Sequence, residues 1–265
     1  MSPLVSPGRS RPAAKSPAVR DRVSREEWEL RLNLAACYRL MAHFGIEDLT
    51  YNHISARIVD EPDRLLINPP GLMFREITAS SLLKYDLDGN PLLGTDRPLT
   101  SAYLILHARV MAARPDVNAI AHTHSIANVA VSAHPRGLLP LSQHSMMFYD
   151  RVAYHDFKGF EFEPAMAEAI IRDLGTRNVA LLRNHGAYVT AGSVPELFVV
   201  HHFLEFACRA QVAALSMTPD VVLPPPEVCA YAAGQVEQSG FAKNGRKDWD
   251  ACIRLADRLY PDYRQ

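Results

Sequence analysis

Residues 117–124 constrain this chain more than any other stretch. They are mostly apolar (Val117, Ala119, Ile120, Ala121), short enough for a buried strand, and end in His122-Thr123-His124. Alternate residues of a strand share a face. Ile120, His122 and His124 therefore project one way, and Ala119, Ala121 and Thr123 the other. Ser125 can then cap a small-residue helix, Ile126–Ala133. A buried strand giving way to a helix suits an α/β layered fold, in which such junctions are the usual place for chemistry. Two imidazoles on one strand face could grip a single metal ion, with His185 of the isolated Asn184-His185-Gly186 as a third ligand. Imidazole suits zinc, copper, nickel and iron, and three protein ligands with open positions is the pattern of a catalytic site. A His-x-His pair alone also occurs with no metal at all.

The rest of the chain alternates helical and extended signals. Ser24-Arg25-Glu26-Glu27 reads as a capping box before Trp28, Leu32, Ala36, Leu40 and Phe44 at helical spacing, ended by Gly45. Strand-like pieces follow at 54–59, 64–68 and 82–86, then an Asp88-Gly89 turn. Thr100 or Ser101 caps a helix running to Ala113, and Arg114-Pro115-Asp116 stops it. A strand is expected at 152–155 and a helix from Glu163-Pro164 to Leu174. Residues 179–190 suit either a strand pair or one bent strand. Ser193-Val194-Pro195-Glu196 opens a long helix carrying Leu197, Val200, Leu204, Cys208, Val212 and Leu215. Pro224-Pro225-Pro226 marks a linker, followed by an amphipathic last helix at 247–259. The expected division is a disordered arm (1–23), a metal-binding domain (24–221) and a linker with a helical tail (222–265). No glycine-rich phosphate loop accompanies the strands, so a dinucleotide site is not expected.

Composition excludes several classes. Hydrophobic residues make up 48% and charged residues 22% of the 265, the balance of an ordinary globular protein. A formal net charge of −1 argues against a nucleic-acid partner. No apolar run is long enough to span a membrane. The four cysteines are scattered without a Cys-x-x-Cys pair, which fits a reducing cytoplasm. The first twenty-two residues lack the apolar segment of a secretory signal; a transit peptide is the alternative to a plain arm.

Four segments together resemble the class II aldolase/adducin family. They are Thr50-Tyr51-Asn52-His53-Ile54-Ser55, Leu66-Ile67-Asn68-Pro69-Pro70-Gly71, the run from Ala112 through His122-Thr123-His124, and Leu182-Arg183-Asn184-His185-Gly186. The likeness spans roughly residues 30 to 217, and 248–263 is similar to the tail of bacterial adducin-like members. The resemblance implies a three-layer α/β/α sandwich, a homotetramer with active sites between subunits, and a divalent metal on His122, His124 and His185. It points to Asn52 and Ser55 as substrate contacts. This chain also departs from the pattern. Tyr103 stands where the sugar-phosphate aldolases carry a glutamate, four residues before the histidine matched by His107. An unperturbed tyrosine has a pKa of about 10, so it donates a proton or hydrogen bond and makes a poor base; it could equally be a space-filler. The aldolases' phosphate-binding Ser-Ser becomes Ser101-Ala102 and their Thr-Gly becomes Pro70-Gly71. Ser101 and Gly71 are kept as substrate contacts, but a sugar phosphate is doubtful.

Three readings stay open. In the first, favoured one, an iron(II) enzyme cleaves a carbon–carbon bond of a 2-oxo or 2-hydroxy acid with O₂. It is similar to family members that oxidatively decarboxylate aryl-substituted 2-oxo acids in secondary metabolism such as antibiotic biosynthesis. In the second a zinc lyase uses no oxygen. In the third the domain is a non-catalytic, adducin-like binding module. Met146 and Phe148 could line a pocket for an apolar substrate tail, although core packing is the commoner fate of such residues. His201 and His202 are read as helix-surface or interface histidines, and His53, His144 and His155 as mainly structural.

Overall fold

The computed structural model describes residues 18–160, 163, 165–240 and 246–265. The opening of helix 163–174 at Pro164 and most of the N-terminal arm lie outside them. Eight strands among the described residues form one sheet, in the order β4-β3-β2-β1-β5-β8-β7-β6. They are β1 (His53–Ile58), β2 (Glu61–Ile67), β3 (Leu83–Asp86), β4 (Pro91–Leu93), β5 (Ala119–Thr123), β6 (Val152–His155), β7 (Val179–Leu182) and β8 (Gly186–Ala191). All neighbours run antiparallel except β6 and β7. Residues 179–191 are thus a strand pair, turned through Asn184 at φ 58, a left-handed value that asparagine tolerates.

Helices cover both faces, giving the expected α/β/α sandwich. On one face lie α1 (Arg25–His43), α4 (Ile126–Ala133) and α7 (Val194–Met217). They pack on Ile54, Ala56, Leu66, Ala119, Ala121, Leu181 and Val189. On the other, α2 (Ser101–Tyr103), a π-helical turn (Leu104–Ala108) and α3 (Arg109–Ala113) form one continuous helix beside α6 (Ala165–Leu174). They meet Leu65, Ile67, Ile120, Leu182 and Tyr188. The period-2 alternation along β5 sorts its residues between the two cores, as the pleat requires.

Three local expectations change. Ser24 does accept from the Glu27 amide, but the Glu27 carboxylate turns inward, to Arg31 Nε at 2.8 Å and Lys84 Nζ at 2.7 Å. It is a buried ion hub between α1 and β3, not half of a capping box. Residues 18–23 of the arm include a 3-10 turn (Val19–Arg22), and Val19 and Val23 pack against the core. Beyond the proline run, α8 (Pro226–Ser239) and α9 (Arg246–Leu259) lie on the domain, with Trp249, Ala256 and Tyr263 inside its main core. The segment with Met146 and Phe148 enters the same core through α5 (Gln143–Met146) and its C-terminal turn.

Candidate metal centre

The histidine site forms where β5 ends. His122 is its penultimate residue, His124 follows it, and His185 lies in the turn between β7 and β8. The three Nε2 atoms form a near-equilateral triangle, 2.9 Å from His122 to His124 and 3.1 Å from each to His185. The tautomers follow from the outer nitrogens. His122 Nδ1 donates to the Ala187 carbonyl at 3.0 Å, and His124 Nδ1 to the Asp48 carboxylate at 3.2 Å. Each ring then keeps its Nε2 lone pair for the centre. Burial first, and the neighbouring histidines second, hold the His122 and His185 pKa values down, that of His185 to about 4. His124 is also lowered by burial, against an upward pull from Asp48. Neutral imidazoles whose outer N–H is bound to carboxylate or carbonyl are what a divalent metal requires. Three lone pairs this close have room for one ion at the usual metal–nitrogen length of about 2.0–2.1 Å. The residues fit a metal.

A chain of polar side chains stands beside the triangle. β1 pairs with β5 so that His53 lies opposite His122, their ring centroids 5.1 Å apart. His53 Nδ1 is 2.6 Å from His107 Nε2, and His107 Nδ1 is 2.6 Å from Ser55 Oγ. The π-helical turn presents His107 to this chain, and such turns collect at functional sites. Tyr103 packs on His53 at 4.7 Å and accepts from Asn68 Nδ2 at 3.2 Å. Burial raises the Tyr103 pKa to about 12 and depresses that of His107 to about 3. Asn52 accepts from the His124 amide at 3.0 Å while its buried Nδ2 has no partner among the described residues.

Of the expected site residues, the structure thus gathers His122, His124, His185, Asn52, Ser55 and Tyr103. Ser55 is fully buried and meets His107 rather than open space. Gly71 and Ser101 are exposed, and no hydrogen bond joins either to the histidine cluster among the described residues. His201 corrects an expectation: it is buried, not on the helix surface, and its Nε2 lies 2.7 Å from Thr123 Oγ1. Thr123 faces α7 because the strand alternation turns it away from the two ligand rings, and that alternation could have placed His201. His155 pairs with Asp173, and His144 stacks on Phe203. Asp48 escaped sequence reading because only the loop's fold brings it to His124.

Two consequences are measurable. Gly186 sits so close to β5 that an added Cβ would meet the Thr123 carbonyl at 2.3 Å and His124 Cδ2 at 3.2 Å. Gly186→Ala is expected to push His185 and His124 apart, weakening metal binding at least tenfold and lowering the unfolding midpoint. The second concerns pH. Burial depresses the folded pKa of His53, His107, His122, His185 and His201 below the 6.5 of a free imidazole. The unfolded chain therefore takes up protons first as pH falls. Stability of the metal-free protein is expected to be full above pH about 6.5 and to drop steadily toward about 4. Urea titrations across that range check it; flat stability would contradict buried neutral histidines.

Comparison with known proteins agrees with this geometry. Residues 32–212 match the model of the class II aldolase and adducin N-terminal domain. A protein of Caulobacter vibrioides, which carries the provisional name of aldolase class 2 protein, is 42% identical over 93% of this chain and 96% of its own. Alpha-adducin of Mus musculus is 38% identical over 87% of this chain, which spans only 33% of the adducin. Among solved structures, an aldolase II superfamily protein from Pseudomonas syringae superposes with a TM-score of 0.87 at 42% identity, covering 94% of this chain and all of that one. L-fuculose 1-phosphate aldolase from Glaciozyma antarctica shares the fold, with a TM-score of 0.77 at 23% identity over 96% of this chain and 97% of its own. The chain belongs to the class II aldolase and adducin family.

Proposed function

We propose that the protein is a divalent-metal-dependent enzyme that cleaves a carbon–carbon bond of a non-phosphorylated 2-oxo or 2-hydroxy acid. The observation that carries this reading is the convergence of three neutral Nε2 atoms, on His122, His124 and His185, in one triangle of 2.9–3.1 Å sides. Relatives named as aldolases supply the reaction class. A bound divalent ion would polarise a carbonyl and favour negative charge on its oxygen. Around it, the Asn52 amide, whose Nδ2 has no partner among the described residues, would donate to a substrate oxygen. Tyr103, its pKa raised to about 12 by burial, stays protonated and serves as a hydrogen-bond donor rather than a base. The Pro70-Gly71 and Ser101-Ala102 substitutions, with Ser101 outside the cluster, favour a substrate without phosphate.

A second reading keeps O₂ as co-substrate with iron(II) in place of zinc. What favours it is the proton inventory. Asp48 accepts from His124 Nδ1 and so is already held as the outer partner of that ring. Loss of CO₂ requires no base to remove a proton from carbon. An aryl or apolar tail on the acid is supported by Phe157, whose ring lies 6.1 Å from His185 with Phe160 a further 6.0 Å away. They take the part first considered for Met146 and Phe148. Phe157→Ala is expected to raise KM for aryl acids about tenfold and leave methyl-bearing analogues nearly unchanged. Exposed Ile126, Tyr51 and Leu49, close in sequence to His124 and Asp48, fit a homotetramer with sites between subunits, and four free cysteines fit the cytoplasm.

The test is turnover of aryl and alkyl 2-oxo and 2-hydroxy acids, and of a sugar phosphate, with and without oxygen. Cleavage without oxygen supports a zinc lyase; oxygen uptake matched to substrate supports the iron reading. Preference for the sugar phosphate would overturn the substrate class. A metal-free, inactive protein would leave an adducin-like binding module.

A further inference from the structure

One face of α7 carries a polar row at four-residue spacing, His201, Glu205 and Arg209, in a helix whose other buried residues are apolar save Gln211. His201 and Glu205 are buried, whereas Arg209 is half exposed; burying polar groups is costly unless they are hydrogen-bonded, and the partners of this row all bear on His124. His201 meets Thr123, the residue before His124. Glu205, only 4% exposed, accepts from the hydroxyl of Ser125, the residue after it. The other Glu205 oxygen accepts from Arg209 Nε at 2.6 Å. Arg209 then reaches the C-terminal end of α1 and donates to the carbonyls of Phe44 and Gly45, at 3.0 and 3.4 Å. These residues begin the loop that delivers Asp48 to His124 Nδ1 three residues later. The loop turns at Gly45, φ 73, where a Cβ would sit 3.3 Å from the Arg209 guanidinium, and is held further along by the Arg75–Glu47 ion pair.

We propose that Glu205 and Arg209 are positioning residues that fix both the backbone of His124 and its outer partner Asp48, and so set the affinity of the histidine triad for its metal. This rests on the metal-dependent reading above. A row on one rigid helix sets two distances at once: strand to helix through Ser125, and loop to helix through Phe44 and Gly45. With Arg209 removed, Glu205 loses its cation, and the Asp48 loop loses its tie to the helix that holds β5.

The test is a double-mutant cycle on zinc affinity, read by competition with a chromophoric chelator, using Arg209→Met, Asp48→Ala and both together. Urea unfolding of the zinc-free proteins is measured alongside. The expected result is a loss of affinity for Arg209→Met of about tenfold and for Asp48→Ala of about 10–100-fold, the range for outer partners of metal-bound histidines. Because Arg209 acts on the Asp48 loop and, through Glu205, on Ser125, the double variant should bind zinc somewhat worse than Asp48→Ala alone but by much less than the product of the two losses. The tautomer is an independent readout: ¹⁵N spectra of zinc-free Arg209→Met should show the His124 Nδ1 proton no longer held, where a change in stability alone would leave it in place. Unchanged affinity in Arg209→Met, or losses that simply multiply, would overturn the proposal while leaving the metal site standing. No zinc binding by the unsubstituted protein would overturn both.

Discussion

Replacing His122 by alanine is expected to abolish metal binding and turnover together. Loss should exceed the roughly 10–100-fold that follows removal of an outer partner, because the triangle loses a ligand. His122 is also the most constrained of the three. It is 1% exposed and donates to the Ala187 carbonyl on the neighbouring strand, with His53 directly opposite. Its side chain therefore contributes little freedom to lose when the ion binds. The two-ligand remnant, His124 with a side chain 19% exposed and His185 also part-exposed, should hold an ion only weakly. Metal content after dialysis and turnover of the best acid substrate are the readouts. Full activity in His122→Ala would remove the triad from the mechanism.

The second large effect lies far from the site. Glu27→Ala is expected to destabilise the protein by about 3–5 kcal/mol, the cost of breaking a buried ion pair by deleting one partner. Glu27 is 1% exposed and joins Arg31, itself fully buried, to Lys84, which also reaches Glu61 at 2.7 Å. Burial pushes the Arg31 guanidinium pKa down while Glu27 pulls it up, so removing the carboxylate leaves a charge that burial disfavours. Such a loss is a large part of the roughly 5–15 kcal/mol that holds a domain together. Arg31 also donates to the Ala79 and Leu82 carbonyls, so the damage should spread from α1 to the connection before β3. Urea unfolding of the metal-free variant measures it, and a loss below about 1 kcal/mol would contradict the hub.

How much of this was legible beforehand depended on the range of the interaction. The alternation in residues 119–124 placed His122 and His124 on one face because a strand's period is local. The same alternation assigned Thr123 to the opposite face, where α7 lies. His185 was a possible third ligand from its isolated Asn184-His185-Gly186 setting, and the family resemblance made it their partner and the sandwich the fold. What escaped was set by packing over long separations. Glu27 had the spacing of a capping box, yet the lysine of β3 took its carboxylate inward. His201 and His202 looked alike on a helix; only the docking of α7 onto β5 buried the first. Asp48 reaches His124 across 76 residues of sequence, and no local pattern announces such a contact. Phe148 and Met147 joined the core, the commoner fate of such residues, while Phe157, which no local pattern singled out, stands beside His185.

X-ray absorption at the metal edge of anaerobically purified protein tests the central claim most directly, since it identifies the element and its ligands together. The expected spectrum shows one divalent ion per chain with three imidazole nitrogens at about 2.0–2.1 Å, marked by the outer-shell scattering of their rings, and oxygen donors completing the shell. A zinc edge would favour the lyase and an iron edge the oxygen-dependent reading. Protein without metal, or an ion whose shell lacks imidazole, would contradict the site built from His122, His124 and His185.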